Sequence, residues 1–300
     1  MTVLRIDSLT KTFHKVRAVD EISLEIPADC VFGFIGENGA GKTTTMRMIL
    51  GLLKPDSGAV WVCDEKVRFG MTPTNRRVGY LPDVPQFYPF MTAREYLRLC
   101  GEVSGLTPTQ VKTRSNDLLE LVGLAKTKKK IGGYSRGMKQ RLGVAQALVN
   151  QPPILICDEP TSALDPLGRK DVLNILTEIR GETTVVFSTH ILSDVERICD
   201  RTALIHQGKI VMEGSLADLK ARHGATGWHL EFADPDSATS FAELMPTLVE
   251  TKVGTEVTLR PGDKDEERAI LRTLADHDLV PLRFESLAPS IESLFLEAVQ

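Results

Sequence analysis

Gly36-Glu37-Asn38-Gly39-Ala40-Gly41-Lys42-Thr43 matches G-x-x-x-x-G-K-[ST] in full. It follows Val31-Phe32-Gly33-Phe34-Ile35, a wholly apolar run suited to a buried central strand. It precedes Thr43 to Leu53, which reads as a helix ended by Pro55, Asp56, Ser57 and Gly58. Strand, glycine-rich loop and helix in this order make an anion nest. The glycines let successive N–H groups turn inward, and the helix adds its positive end. The reading assigns phosphate contact to Gly36, Asn38, Gly39, Ala40, Gly41, Lys42, Thr43 and Thr44. Lys42 is expected to reach the β- and γ-phosphates of a nucleotide. The Thr43 hydroxyl is expected to ligate Mg²⁺, which prefers hard oxygen donors.

A second element matches the first. Ile154-Leu155-Ile156-Cys157-Asp158-Glu159 is an apolar strand ending in two carboxylates. The carboxyl edge of a parallel sheet is where such folds bind ligands. Asp158 is placed to hold Mg²⁺ through water. Glu159 is placed to orient and deprotonate an attacking water.

Around these motifs the chain alternates strands and helices. Ile22, Leu24 and Ile26 alternate with polar residues, and Leu4, Ile6 and Leu9 begin a looser alternation in what reads as short strands. Residues 92–150 are helical in pattern. Strands return at Ile154–Cys157, Thr184–Phe187 and Ala203–Ile205, separated by helices near 167–180 and 193–199. This is an α/β layer with a parallel core. After residue 222 the order becomes β-α-β-β-α-β: a strand at Trp228–Phe232, a helix at 236–245, a hairpin of Leu248–Val253 and Glu256–Arg260, a helix at 265–276, and a strand at Leu279–Phe284. That is the split ferredoxin-like order. The boundary is placed at residues 222–227, giving domains 1–222 (helical subdomain about 84–150) and 223–300.

Composition limits the function classes. Of 300 residues, 42% are hydrophobic and 25% charged, with a formal net charge of −4, so no global positive field favours nucleic acid. No stretch approaches the ~18–20 apolar residues of a membrane helix, and no signal peptide is visible. Cys30, Cys63, Cys100, Cys157 and Cys199 are scattered and include no C-x-x-C pair, as expected of free thiols in a reducing compartment. The run Lys126-Thr127-Lys128-Lys129-Lys130 reads as a solvated loop, with a headgroup or acidic partner face as the alternative.

Three further stretches give the order a family look. Tyr134-Ser135-Arg136-Gly137-Met138-Lys139-Gln140-Arg141 opens a helix before the carboxylate strand. Ser162-Ala163-Leu164-Asp165 follows that strand, and Ser188-Thr189-His190 closes the next one. Together they resemble the signature, D-loop and switch histidine of ABC ATPases, over residues 1 to about 220. The resemblance implies a P-loop ABC-type ATPase domain with a mixed sheet core, an antiparallel β subdomain and a helical subdomain, followed by a small α+β C-terminal domain. It implies that Phe13 stacks on adenine, where a strand-end core phenylalanine is the other reading. It implies that Ser135 and Gly137 contact the γ-phosphate bound by an opposite subunit, that His190 senses the γ-phosphate beside catalytic Glu159, and that Asp165 belongs to the D-loop.

Two departures stand out. Tyr134, Arg136 and Met138 replace three of the five Leu-Ser-Gly-Gly-Gln signature positions. The glutamine usual after the strand Val78-Gly79-Tyr80-Leu81-Pro82 is Asp83, a candidate metal contact, with Gln86 three residues on as the alternative. The tail Pro289-Ser290-Ile291-Glu292-Ser293-Leu294-Phe295-Leu296 resembles that of ABC-2-type exporter ATPases. Its i, i+3, i+4 spacing equally suits a helix covering the domain's own core.

The resemblance implies an ATP-hydrolysing motor, using ATP and Mg²⁺. It would dimerise with a second copy or a related ATPase and drive a separate membrane permease from the cytoplasmic face, with no nucleic-acid partner. The alternatives are a soluble ABC ATPase acting on ribosomes or DNA, and a phosphoryl-transfer enzyme of another P-loop lineage.

Overall fold

In the computed structural model, residues 1–70, 73–222, 227–260, 264–287 and 290–299 are described, without side chains for 222 and 296–299. The chain divides into two compact units, Met1–Leu216 and Ala217–Ala298. The boundary stretch proposed from sequence lies just beyond this division, and its residues 223–226 are outside those described.

The first unit opens with a hairpin of two long strands, β1 (Thr2–Phe13) and β2 (Val16–Pro27), where the sequence suggested short ones. Bulges interrupt the β1–β2 register between Ile6 and Leu9 and between Leu9 and Lys11, and Ser8 and Glu21 sit at φ 45° and 54°. Each bulge breaks the alternation without ending the strand. Next come β3 (Val31–Ile35), α1 (Lys42–Ile49), β4 (Ser57–Val62), β5 (Glu65–Lys66) and β6 (Val78–Leu81). Helices α2 (Ala93–Val103), α3 (Pro108–Leu121) and α4 (Arg136–Ala147) follow. Then β7 (Ile154–Asp158), α5 (Pro166–Glu178), β8 (Thr184–Thr189), α6 (Leu192–Ile198), β9 (Arg201–His206) and β10 (Lys209–Ser215) complete it.

Strands β2-β1-β4-β5 form an antiparallel sheet. Strands β10-β9-β3-β8-β7-β6 form the central sheet, parallel except for the edge strand β10. All five residues of β3 are buried, as are those of β7, because both strands lie inside the sheet with both faces covered. Phe32 is wholly enclosed, and its burial alone is worth about 1.5–3 kcal/mol.

Helix α1 stops at Ile49, short of the expected Leu53. Gly51 takes φ 68°, and the Gly51 and Leu52 N–H groups donate to Met48 O (3.1 Å) and Arg47 O (2.9 Å). This left-handed cap closes the helix before Pro55 is reached. Tight capping boxes start α2 at Thr92 with Glu95 and α3 at Thr107 with Gln110. The lysine-rich loop at 126–130 is largely exposed.

The second unit carries α7 (Leu216–Arg222), β11 (Gly227–Glu231), α8 (Pro235–Leu244), β12 (Val249–Val253), β13 (Glu256–Leu259), α9 (Lys264–Asp276), β14 (Arg283–Leu287) and α10 (Ile291–Val299). Its sheet order β12-β13-β11-β14, antiparallel throughout, is the ferredoxin-like arrangement. Trp228, Leu230, Phe232, Phe241, Val257 and Ile270 form its own core. The last sheet strand begins at Arg283 rather than Leu279, because Pro281 has no N–H to give the ladder. In the tail, Ile291 and Leu294 are buried and Phe295 is half-buried, while Pro289 and the Leu296 side chain are outside the described residues. No helix of the described residues is long and apolar enough to cross a membrane.

Candidate functional site

The glycine-rich loop emerges from the carboxyl end of β3. Gly39 and Gly41 adopt φ 87° and 108°, a region that costs a side-chain-bearing residue strain. A Cβ on Gly41 would stand 2.3 Å from Ala18 O, and one on Gly36 would stand 2.5 Å from Ile205 O. The loop is therefore pressed against backbone on two sides. Helix α1 begins at Lys42 with Gly41 as its N-cap, no side-chain cap and no acid in its first turn. Its first N–H groups and dipole are left for an anion.

Lys42 is almost fully buried. Its ammonium donates to Gly36 O (2.6 Å) and Glu37 O (3.1 Å) and faces Glu159 Oε1 at 3.3 Å. That Glu159 oxygen is buried and makes no hydrogen bond of its own. The other, Oε2, lies 2.9 Å from His190 Nδ1. His190 is the more exposed member, at 44% against 14% for Glu159. Glu159 sits at φ 49°, an uncommon conformation for a non-glycine residue, immediately after β7.

Asp158 closes β7 and is buried. Its Oδ1 accepts from Thr43 Oγ1 (3.1 Å) and from Ser188 Oγ (2.7 Å). The same Ser188 hydroxyl accepts the Glu159 N–H at 2.9 Å. Parallel register puts Ser188 of β8 beside Asp158 of β7, so one hydroxyl fixes both carboxylate-bearing residues. The Asp158 charge reaches Tyr80 on β6, whose phenol is raised first by burial and next by that carboxylate.

A cleft of ≈ 380 Å³ gathers Asn38, Gly39, Gly41, Lys42, Thr43, Thr44, Arg47, Asp83, Asp158 and Glu159. Gly36 and Ala40 lie buried at the loop's base and do not line it. Asp83 does line it, whereas Gln86 is exposed and outside it. The Asp83 carboxylate accepts from Ser162 Oγ at 2.5 Å and stands 3.9 Å from the Arg136 guanidinium. Phe13, at the end of β1, is 44% exposed and so is not a core residue, with Lys11 Nζ 5.7 Å from its ring centre.

Ser135 and Gly137 are not in this cleft. They line a separate concave surface with Arg136, Met138, Leu164, Asp165 and Gly168. There Ser135 caps α4 by accepting the Met138 N–H (3.2 Å), and Asp165 caps α5 by accepting the Gly168 N–H (2.8 Å).

Two residues that build the site, cleft-lining Arg47 and buried Ser188, had no role assigned from the sequence. Arg47 lies one helical turn beyond Thr43, so i, i+4 spacing could have signalled it. Ser188 is brought in by strand register, which the sequence does not display.

The donors suit a magnesium nucleotide. A hydroxyl and a carboxylate 3.1 Å apart, with a second carboxylate in the same cleft, are hard oxygens beside a nest of N–H groups.

Comparison with known proteins agrees with this geometry. The family model described as ABC transporter matches residues 19–162. An uncharacterized ABC transporter ATP-binding protein of Bacillus subtilis (strain 168) is 37% identical over 298 residues, covering 99% of each chain. Nod factor export ATP-binding protein I of Paraburkholderia xenovorans (strain LB400) is 34% identical over 298 residues, covering 98% of this chain and 95% of that one. Among solved structures, a dimeric post-hydrolysis ATP-binding cassette bound to ADP and phosphate superposes with a TM-score of 0.63 at 25% identity. It covers 71% of this chain and 98% of that one. With two relatives matched along nearly their whole length, the chain belongs to the ATP-hydrolysing, ATP-binding subunits of ABC transporters.

Proposed function

We propose that this chain is the motor of an ABC-2-type exporter, closing with a second copy around two ATP molecules to drive a separate permease. One observation carries the reading. The Lys42 cleft and the Ser135–Gly137 surface lie on the same protomer but share no residue. This supports a reading in which a γ-phosphate held by Lys42 meets the signature of another subunit. A two-fold pairing completes two sites at once.

The chain's residues divide the work. The loop N–H groups, Lys42 and Arg47 bind and orient the phosphates. Thr43, Asp158 and Asp83 would hold Mg²⁺, which when bound neutralises charge on the β- and γ-oxygens. Phosphate competes with Glu159 for the Lys42 ammonium, releasing the Glu159 carboxylate to orient water and take its proton. His190, hydrogen-bonded to that carboxylate through Nδ1, keeps Nε2 for the γ-phosphate. Phe13, exposed at the end of β1, provides the adenine stack.

The exporter assignment draws on the tail at 290–295 and on the full-length likeness to a Nod factor export protein. Docking to a permease would hold the chain at the inner face of the membrane. Affinity purification of the tagged chain from detergent-solubilised membranes of its own host tests this. A stoichiometric partner with several spanning helices is expected. Recovery of ribosomal proteins alone would overturn the reading.

A further inference from the structure

A buried carboxylate outside the cleft joins the two segments that carry the catalytic pair. Asp194, on α6, is 1% exposed. Its Oδ2 accepts the hydroxyl proton of Thr161 at 2.6 Å, and its Oδ1 accepts Arg169 Nε at 2.5 Å. The Arg169 guanidinium also donates to Ser193 Oγ at 2.8 Å. Thr161, itself 1% exposed, lies two residues beyond Glu159, and Asp194 lies four beyond His190.

The segment after β7 and the segment after β8 are thus tied at two points. One tie is Glu159 to His190 at 2.9 Å, and the other is Thr161 to Asp194. The segments leave strands paired as far as Asp158 and Ser188, with the Glu159 N–H on Ser188 Oγ, and beyond that pairing two ties fix their mutual orientation more closely than one. The second tie is the stiffer one. A carboxylate withdrawn from water must keep its donors, because an unpaired buried charge is costly. The first tie is 44% exposed on its histidine side, and it depends on a residue held at φ 49°. Such a conformation persists only where its surroundings over-determine it.

Arg169 extends the arrangement. It lies in the first turn of α5, where its N–H donates to Asp165 O at 2.9 Å. Asp165 and Gly168 line the same concave surface as Ser135 and Gly137.

We propose that Thr161, Asp194 and Arg169 form a positioning cluster that holds His190 on Glu159 and links that contact to the surface around Asp165. None of the three touches the substrate, and they act through the catalytic pair. The proposal rests on the roles given above to Glu159 and His190.

The test uses the full chain and steady-state ATP hydrolysis, read as kcat and KM separately. Thr161→Val keeps the shape and removes the hydroxyl, while Thr161→Ser keeps the hydroxyl. Val111→Ala, in the buried face of α3, is a destabilised control away from the cluster. Thr161→Val should lower kcat about tenfold with KM moving less than about twofold, and Thr161→Ser should recover kcat to within about twofold. Val111→Ala should keep its kcat despite an equal or larger loss in Tm. If Thr161→Val folds poorly, Asp194→Asn should show the same split in kcat against KM.

Unchanged kcat in Thr161→Val, or a Thr161→Ser as slow as Thr161→Val, would overturn the proposal. So would activity that follows Tm across all variants. Glu159→Gln separates the two levels. If Glu159→Gln hydrolyses ATP normally, the underlying catalytic reading fails. If it is inactive while Thr161→Val is normal, the positioning cluster alone fails.

Discussion

Lys42, its side chain nearly buried, makes its contacts with the loop's own carbonyls and with Glu159. An ammonium so placed exchanges carbonyl oxygens for phosphate oxygens with little reorganisation, which favours tight binding. Lys42→Ala should therefore weaken ATP binding by about a hundredfold, measured with a fluorescent nucleotide, while the fold survives. Ser188→Ala removes the hydroxyl that holds Asp158 and receives the Glu159 N–H. It should cost about 1–2 kcal/mol of stability by denaturant titration and slow hydrolysis more than it weakens binding. The thiols are silent by contrast. Burial, and next the Asp200 carboxylate, push Cys30 up to about 11, and burial also raises Cys157 and Cys199. At pH 8 those three, and Cys100, which burial also raises, remain protonated and poorly nucleophilic, so alkylation of the native protein should strike half-buried Cys63 first. At this scale Lys42, Thr43, Asp158 and Glu159 were legible because their spacing is local. Ser188 and Asp194 were not, since their partners arrive from 30 and 33 residues away.

The loop between β3 and α1 is the element with least tolerance. Gly41→Ala meets both the φ of 108° and Ala18 O at 2.3 Å, so the loop must shift as a whole. Loss of ATP binding and a destabilisation of about 1–3 kcal/mol are expected by nucleotide titration and thermal melting. Gly39→Ala is the informative comparison. It shares the positive φ but its Cβ would meet no protein atom, so it should cost about 1 kcal/mol and disturb the loop less than Gly41→Ala does. Elements also show where periodicity stops being readable. The bulges of β1 and β2 disguise one hairpin of long strands as shorter ones, because each extra residue shifts the alternation to the other face. Gly51 ends α1 before the proline that the sequence offered as its stop. Strands β4, β5 and β10 gave no clear signal, being edge-like, short or only partly buried.

At the scale of the whole molecule, the chain is two separately cored units, only one of which holds the nucleotide cleft. The split ferredoxin-like order of the second unit was legible from its β-α-β-β-α-β pattern, and Pro281 explains the late start of its last strand. Nothing local in the sequence says that the cleft and the signature surface stay apart in one protomer. That separation goes with different packing partners: α1 lies against β2, β4 and β7, whereas α4 lies against β6 and α5. In the proposed dimer ATP is a bond between copies, and hydrolysis is the step that breaks it. Glu159→Gln isolates that bond, since it should leave binding intact and remove the base. Light scattering of Glu159→Gln with saturating ATP and Mg²⁺ should give twice the 33.1 kDa of one chain, returning to one chain's mass when ATP is replaced by ADP. A Glu159→Gln protein that binds ATP fully and keeps the mass of a single chain would contradict the account.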